Sequence, residues 1–333
     1  MAVKLVDEPR LKVRNLQVEY HTRRGIVRAV QDVSFDVYPN EVFGLAGESG
    51  CGKSTIAHAV TRILKPPAYI TGGEILCNGT DILMMGTETL RRFRWEHMSI
   101  VFQSAMNALN PVLTVGEQII DAIQAHVLTP KKQARQQALD LLQIVGIDPG
   151  RIDSYPHQLS GGMRQRAVIA IALALKPELI IMDEPTTALD VVVQKQIMQE
   201  IRQLKNKFGF SILFITHDLS LLVEFSDRIG IMYAGELVEV SPSREIFQNP
   251  RHPYTMRLMN SFPTITGPRQ DMLGIPGAPP DLVSPPSGCR FHPRCSVALA
   301  GRCQEEHPLL KTVSPRHEVA CHLAESEAVK HGG

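Results

Sequence analysis

Gly47-Glu48-Ser49-Gly50-Cys51-Gly52-Lys53-Ser54 sets Gly47 and Gly52, with four residues between them, ahead of a lysine and a hydroxyl residue. That order suits a polyphosphate. The glycines let successive backbone N–H groups turn onto an anion, and a helix opening just after them points its positive end at the same charge. Lys53 is then placed to reach the β- and γ-phosphates and Ser54 to ligate Mg²⁺. Gly47, Ser49, Gly50, Cys51, Gly52 and Thr55 are the other candidate contacts. A second reactive group ends the run Leu179-Ile180-Ile181-Met182-Asp183-Glu184. Asp183 is suited to hold Mg²⁺ through water, and Glu184 to orient or deprotonate an attacking water. A third, Leu159-Ser160-Gly161-Gly162-Met163-Arg164-Gln165-Arg166, puts a serine hydroxyl and glycine N–H groups at the start of a helix, which makes a second anion cradle.

Each group needs an element to hold it. The apolar run 42–46 reads as the strand before the phosphate loop, and 55–60 as the helix after it. Four apolar residues at 179–182 make a buried strand whose acids fall at its C-terminal end, the edge where open α/β sheets bind ligands. Residues 11–20 and 27–37 alternate apolar and polar side chains, with a turn at 22–25, and predict an antiparallel layer. Further strands are expected at 72–76, 98–102, 211–215 and 229–233, and helices at 88–94, 116–127, 131–145, 162–175 and 192–208. The fold class is α/β, a mainly parallel sheet covered on both faces, with a helical insertion over about 104–176. Beyond a boundary near Ser241 prolines punctuate the chain, so residues 1–240 read as the nucleotide domain. Residues 241–333 read as a small irregular extension with short helices near 244–248 and 254–261.

Four cysteines crowd this extension: Cys289, Cys295, Cys303 and Cys321, with five, seven and seventeen residues between them. The segment around them is too poor in apolar residues to fold on a core of its own, so a cross-linking ion would help order it. Four thiolates can hold tetrahedral zinc or an iron–sulfur cluster, or can remain free. Zinc sites commonly begin with two cysteines two to four residues apart. No such pair exists here, which favours a [4Fe-4S] cluster. His292, His307, His317 and His322 lie nearby as substitute ligands or as solvated surface residues. Cys51 reads as a small residue among backbone donors.

Bulk properties narrow the class. With 35 Lys and Arg against 34 Asp and Glu, the net charge of +1 gives no electrostatic case for nucleic acid. The longest apolar run, 167–175, is too short to cross a bilayer, and the first ten residues lack a signal-like apolar segment. A cytosolic chain is expected, in which stable disulfides are disfavoured.

One γ-phosphate does not need two cradles from one subunit. With the cradle at 159–166 the chain resembles the ATP-binding subunits of ABC transporters, in which that signature acts on ATP held by a partner's phosphate loop. The resemblance implies an ABC-type nucleotide-binding domain. It also implies a γ-phosphate and Mg²⁺ sensor at Gln103, a switch histidine at His217, an interface loop at Ala188-Leu189-Asp190 and an aromatic under the adenine at Tyr20. It is closest to the di- and oligopeptide importers, through Gln103-Ser104-Ala105-Met106-Asn107-Ala108-Leu109-Asn110-Pro111, Glu184-Pro185-Thr186-Thr187-Ala188-Leu189-Asp190-Val191 and His252-Pro253-Tyr254-Thr255. Met163 stands where the general signature more often has glutamine, a departure usual in the peptide group.

That group's tail is reported to carry [4Fe-4S] clusters. The resemblance further implies ATP and Mg²⁺ as cofactors and a second, distinct ATPase subunit as partner. Two membrane-spanning permease subunits and an extracytoplasmic peptide-binding protein complete the expected assembly. The place of action would be the cytoplasmic face of the cell membrane, without a span of its own. Two other classes are a soluble ABC ATPase acting on DNA or ribosomes with a zinc-bearing tail, and a P-loop kinase. The importer-like segment after Gln103 and the balanced charge speak against the first, and the 159–166 signature against the second.

Overall fold

The structure is a computed structural model that describes residues 8–103, 108–186, 190–260 and 275–324. It divides into two compact units interleaved along the chain. The first comprises residues 1–11, 36–41 and 76–214, the second 12–35, 42–75 and 215–333.

In the first unit, strands Met98–Val101 and Leu179–Asp183 pair in parallel, with Met98 opposite Leu179 and Val101 opposite Met182. Both faces are covered, so Leu179 to Asp183 reads as a continuous buried run, as does Ser211–Ile215. Helices Val115–Gln124, Lys131–Ile144 and Gly161–Ala172 pack on one another, and Ile119, Ile123, Ala134, Ala138, Leu142 and Ala170 on them are all buried. The first of them starts on a capping box. The Thr114 hydroxyl accepts from the Glu117 N–H, and the Glu117 carboxylate accepts from the Thr114 N–H. Thr114→Ala is expected to cost about 1 kcal/mol of stability, measured as a lowered urea midpoint. Helix Val191–Phe208 begins at Asp190, whose carboxylate accepts from Val192 and Val193, and ends at Gly209, whose positive φ closes the last turn.

In the second unit, strands Leu11–Thr22 and Gly25–Val37 are neighbours, matching the alternation of their side chains. Val42–Ala46 is wholly buried and pairs in parallel with Arg228–Tyr233, Gly44 opposite Ile229 and Ala46 opposite Ile231. A turn at Ala234-Gly235, both with positive φ, reverses the chain into Glu236–Pro242, a strand the apolar pattern did not announce. Two short tail strands, Lys311–Ser314 and His317–Val319, extend the same sheet, Val319 opposite Glu239 and Lys311 opposite Val319. They too escape sequence reading, because neither carries enough apolar residues to set a period, and main-chain pairing to a neighbour defines them. Helices Ser243–Gln248 and Pro253–Asn260 form where short helices were expected. Helix Leu219–Phe225, capped by Asp218, was not. Among the described residues no helix is long and apolar enough to cross a membrane.

Candidate functional site

The phosphate loop belongs to the second unit. Gly47 and Gly52 have φ of 149° and 106°, and a Cβ at either would meet a backbone oxygen, at 2.2 Å from Met232 O and 2.4 Å from Ala29 O. Only glycine fits both the conformation and the space. The helix Lys53–Val60 that follows has no side-chain cap on its first turn, so its N–H groups are not taken by a capping side chain. Lys53 is buried, and its ammonium donates to the carbonyls of Gly47 at 2.8 Å and Glu48 at 3.1 Å. Ser49 and Gly50 are exposed at the tip, and Ser54 and Thr55 are half-buried. Burial pushes the Cys51 thiol up although Lys53 pulls it down, so Cys51 stays a neutral thiol beneath the loop. Tyr20 shares a hydrogen bond with the Thr55 hydroxyl at 3.2 Å. His217 is exposed just past the strand Ser211–Ile215, next to Asp218.

The acids belong to the first unit. Asp183 is buried at the end of its strand, and Glu184 follows in a left-handed conformation, φ 46°. A non-glycine residue held there stores strain of the kind found at functional positions. The parallel register that sets Val101 beside Met182 carries Gln103 to Glu184, and the Gln103 Nε2 donates to its Oε2 at 2.8 Å. Ser160 caps helix Gly161–Ala172 by accepting from the Met163 N–H at 3.3 Å, with its side chain exposed beside Gly161 and Gly162. Asp190 is exposed as the cap of its own helix. Residues 104–107 and 187–189, which carry parts of the importer-like segment and of the interface loop, lie outside the described residues.

The four tail cysteines come together. Cys289, Cys295, Cys303 and Cys321 line one cavity, with Phe291 and Val297 on its walls. Burial pushes the Cys289 thiol up to about 12, and the three neighbouring thiols act in the same direction. Burial likewise raises Cys295 and Cys321. Burial thus favours the neutral thiol at Cys289, Cys295 and Cys321. Among the described residues no three His, Cys, Asp or Glu side chains form a group that could hold a metal ion, so the metal site expected from the four cysteines is not formed there. The histidines considered as ligands have other partners: His292 and His307 lie on the carbonyls of Cys289 and Gly288, His322 on that of Glu306, and His317 on the Glu239 carboxylate.

Sequence reasoning missed the residues that dock this tail. Phe291 is fully buried, edge-on to Tyr233 at 5.1 Å and to Tyr254 at 5.4 Å between ring centres. Such burial contributes about 1.5–3 kcal/mol. Arg290 pairs with Glu236 at 2.8 Å and donates to the Ala234 carbonyl and to Gln31. Arg294 pairs with Glu48 of the phosphate loop at 2.7 Å. These partners lie some 50 to 260 residues apart in sequence, so no local pattern signals them.

Comparison with known proteins agrees with the cassette-like parts. Residues 30–187 match the family model described as ABC transporter. Residues 238–303 match that of the oligopeptide/dipeptide transporter, C-terminal region. The dipeptide transport ATP-binding protein DppD of Bacillus subtilis (strain 168) is 43% identical over 321 residues, 96% of each chain. The oligopeptide transport ATP-binding protein OppD of the same organism is 41% identical over 324 residues, 96% of this chain and 90% of its own. Among solved structures, the dimeric post-hydrolysis state of an ATP-binding cassette bound to ADP and Pi superposes with a TM-score of 0.63 at 29% identity, over 70% of this chain and 99% of that one. A cassette of a Clostridium perfringens ABC transporter complex gives 0.64 at 26%, over 73% and 92%.

Proposed function

Since the chain belongs to the ATP-binding proteins of ABC transporters, in the branch with the oligopeptide/dipeptide C-terminal region, we propose that it hydrolyses ATP to power the import of di- or oligopeptides. The observation that carries the peptide assignment is the tail match over 238–303 beside the cassette match over 30–187. A cassette that served DNA or ribosomes would have no use for that region.

In this reading residues 1–240 form the nucleotide-binding body and 241–333 the extension. The backbone N–H groups of 47–52 cradle the phosphates, with Ser49, Gly50 and Cys51 contributing through the main chain. Lys53 neutralises the β- and γ-phosphates, Thr55 continues the cradle, and Tyr20 lies under the adenine. As the family resemblance implies, Ser54 and Gln103 would hold Mg²⁺, and Asp183 would act on it through water. The donor set of hydroxyl, amide oxygen and carboxylate is all oxygen, which fits a hard cation. When bound, the ion neutralises charge on the transferring phosphoryl group. Glu184 orients and deprotonates the attacking water, and His217 contacts the γ-phosphate. Ser160, Gly161 and Gly162 close on the ATP of a second subunit, and Asp190 lies on the path between the two. Hydrolysis then belongs to a pair of ATPase subunits, the second a distinct homologue. Closure passes through the surface near Gln103 to two permease subunits at the cytoplasmic face of the membrane, and a peptide-binding protein delivers substrate outside.

Isolation from detergent-solubilised membranes through a tag on this chain is expected to bring down two membrane-spanning subunits and a second ATPase. Recovery with ribosomes or DNA would overturn the assignment.

For the cysteine cavity we assign a [4Fe-4S] cluster in preference to zinc. What supports it is a carboxylate-free set of four thiols round one space, with no pair of cysteines at the close spacing with which zinc sites commonly begin. Anaerobically purified protein is expected to absorb broadly near ~400 nm and to contain about four irons per chain. Stoichiometric zinc without iron would replace the cluster by the zinc alternative.

A further inference from the structure

The tail's cysteine loop and the phosphate loop share one ion pair, and the assignment below rests on the nucleotide reading of the latter. Arg294 sits on the single turn His292–Arg294, between Cys289 and Cys295. That turn is closed by the His292 N–H donating to the Cys289 carbonyl at 3.0 Å, and the Cys295 N–H donating to that of His292 at 3.2 Å. The Arg294 side chain is 6% exposed and meets Glu48 through both fork nitrogens, Nη1 to Oε2 at 2.7 Å and Nη2 to Oε1 at 3.0 Å. Two parallel charged hydrogen bonds fix direction as well as distance. The guanidinium is fixed from behind, where Nε donates to the Pro276 carbonyl at 2.8 Å and Nη1 to the Tyr233 hydroxyl at 3.3 Å.

Glu48 is held at its backbone too. Its N–H donates to the Tyr254 hydroxyl at 3.0 Å, and its carbonyl receives the Lys53 ammonium at 3.1 Å. A continuous path therefore runs from the Cys289–Cys295 turn through Arg294 and Glu48 to the lysine meant for phosphate. Phe291, packed against Tyr233 and Tyr254, backs that path with apolar contact.

We propose that Arg294 is a positioning residue for the phosphate loop, and that through Glu48 it couples order at the four-cysteine cavity to the affinity for ATP. The coupling is reciprocal: nucleotide that settles the loop settles the cysteine turn by the same factor.

The test uses the full chain with a fluorescent ATP analogue and Mg²⁺, reading Kd by titration and amide hydrogen exchange over 289–303. Arg294→Ala and Glu48→Gln are each expected to weaken binding about tenfold, and the double variant no further, because both remove one interaction. Arg294→Lys, which keeps the charge without the fork, is expected to fall between. In the wild type, nucleotide slows exchange over 289–303; in Arg294→Ala, it protects the phosphate loop alone. Unchanged Kd in Arg294→Ala, additive losses in the double variant, or no nucleotide effect on 289–303 in the wild type would each overturn the proposal. Where Arg294→Ala loses its thermal transition, Glu48→Gln and Arg294→Lys carry the decision. A wild type that binds no analogue would instead refute the nucleotide reading itself.

Discussion

Glu184→Gln is expected to lower ATP turnover by about 10²–10⁴-fold while ATP still binds. The residue ends the buried strand Leu179–Asp183, and the left-handed turn at φ 46° gives its side chain a course distinct from that of Asp183 one residue earlier. The two acids can thus divide the work, the buried one toward the cation and the half-buried one toward water. Glutamine preserves the volume and can still accept from the Gln103 amide, now 2.8 Å from Oε2, so the local structure should survive. What it lacks is a basic oxygen. Phosphate release measured beside the Kd of a fluorescent analogue separates the effects: turnover collapses and Kd stays within a fewfold. Turnover close to wild type would remove Glu184 as the base. Gln103→Ala, which removes that donor and leaves the carboxylate in place, is expected to cost less than Glu184→Gln in the same assay.

The contrast between what the sequence discloses and what it hides follows from how far apart the partners lie. The phosphate loop, the strand before it and the cap at Ser160 are local patterns, complete within about ten residues, and each forms where its residue types require. Gln103 beside Glu184 is long-range, yet the parallel register of two recognisable strands produces it, so a sheet reading comes within one step of it. Arg294 on Glu48 has no such route. An arginine among prolines and an acid inside a glycine loop look like solvated charge on both sides, and only tertiary packing brings them into bidentate contact. The tail's four cysteines are legible as a set. That the tail is docked by Phe291, Arg290 and two short strands is not, because its few apolar residues follow no helix or strand period.

Glu239→Ala is expected to destabilise the second unit by about 3–5 kcal/mol, since it removes one partner of a buried charged network. Glu239 lies on the strand Glu236–Pro242 with its side chain wholly buried. Its carboxylate accepts from the Arg251 N–H at 2.7 Å, from the His252 N–H at 3.0 Å and from the His317 Nε2 at 2.7 Å. Burial alone would raise its pKa, but the bond from His317 and the two backbone donors outweigh it and leave the carboxyl below its ordinary value. The sign follows. The unfolded chain binds the proton more readily, so this stabilisation is complete above the unfolded carboxyl pKa of about 4.3 and fades as pH falls through the lower folded value. Thermal melts should therefore show the gap between wild type and Glu239→Ala narrowing in acid, as pH falls below about 4.3. The consequence reaches the cysteine cavity. His317 begins the strand that pairs Val319 with Glu239 and delivers Cys321 two residues later. Loss of Glu239 thus loosens the wall of the cavity that carries Cys321, and amide hydrogen exchange over 317–322 should be faster in the variant than in wild type. Equal melting midpoints would show that backbone pairing alone holds the strand.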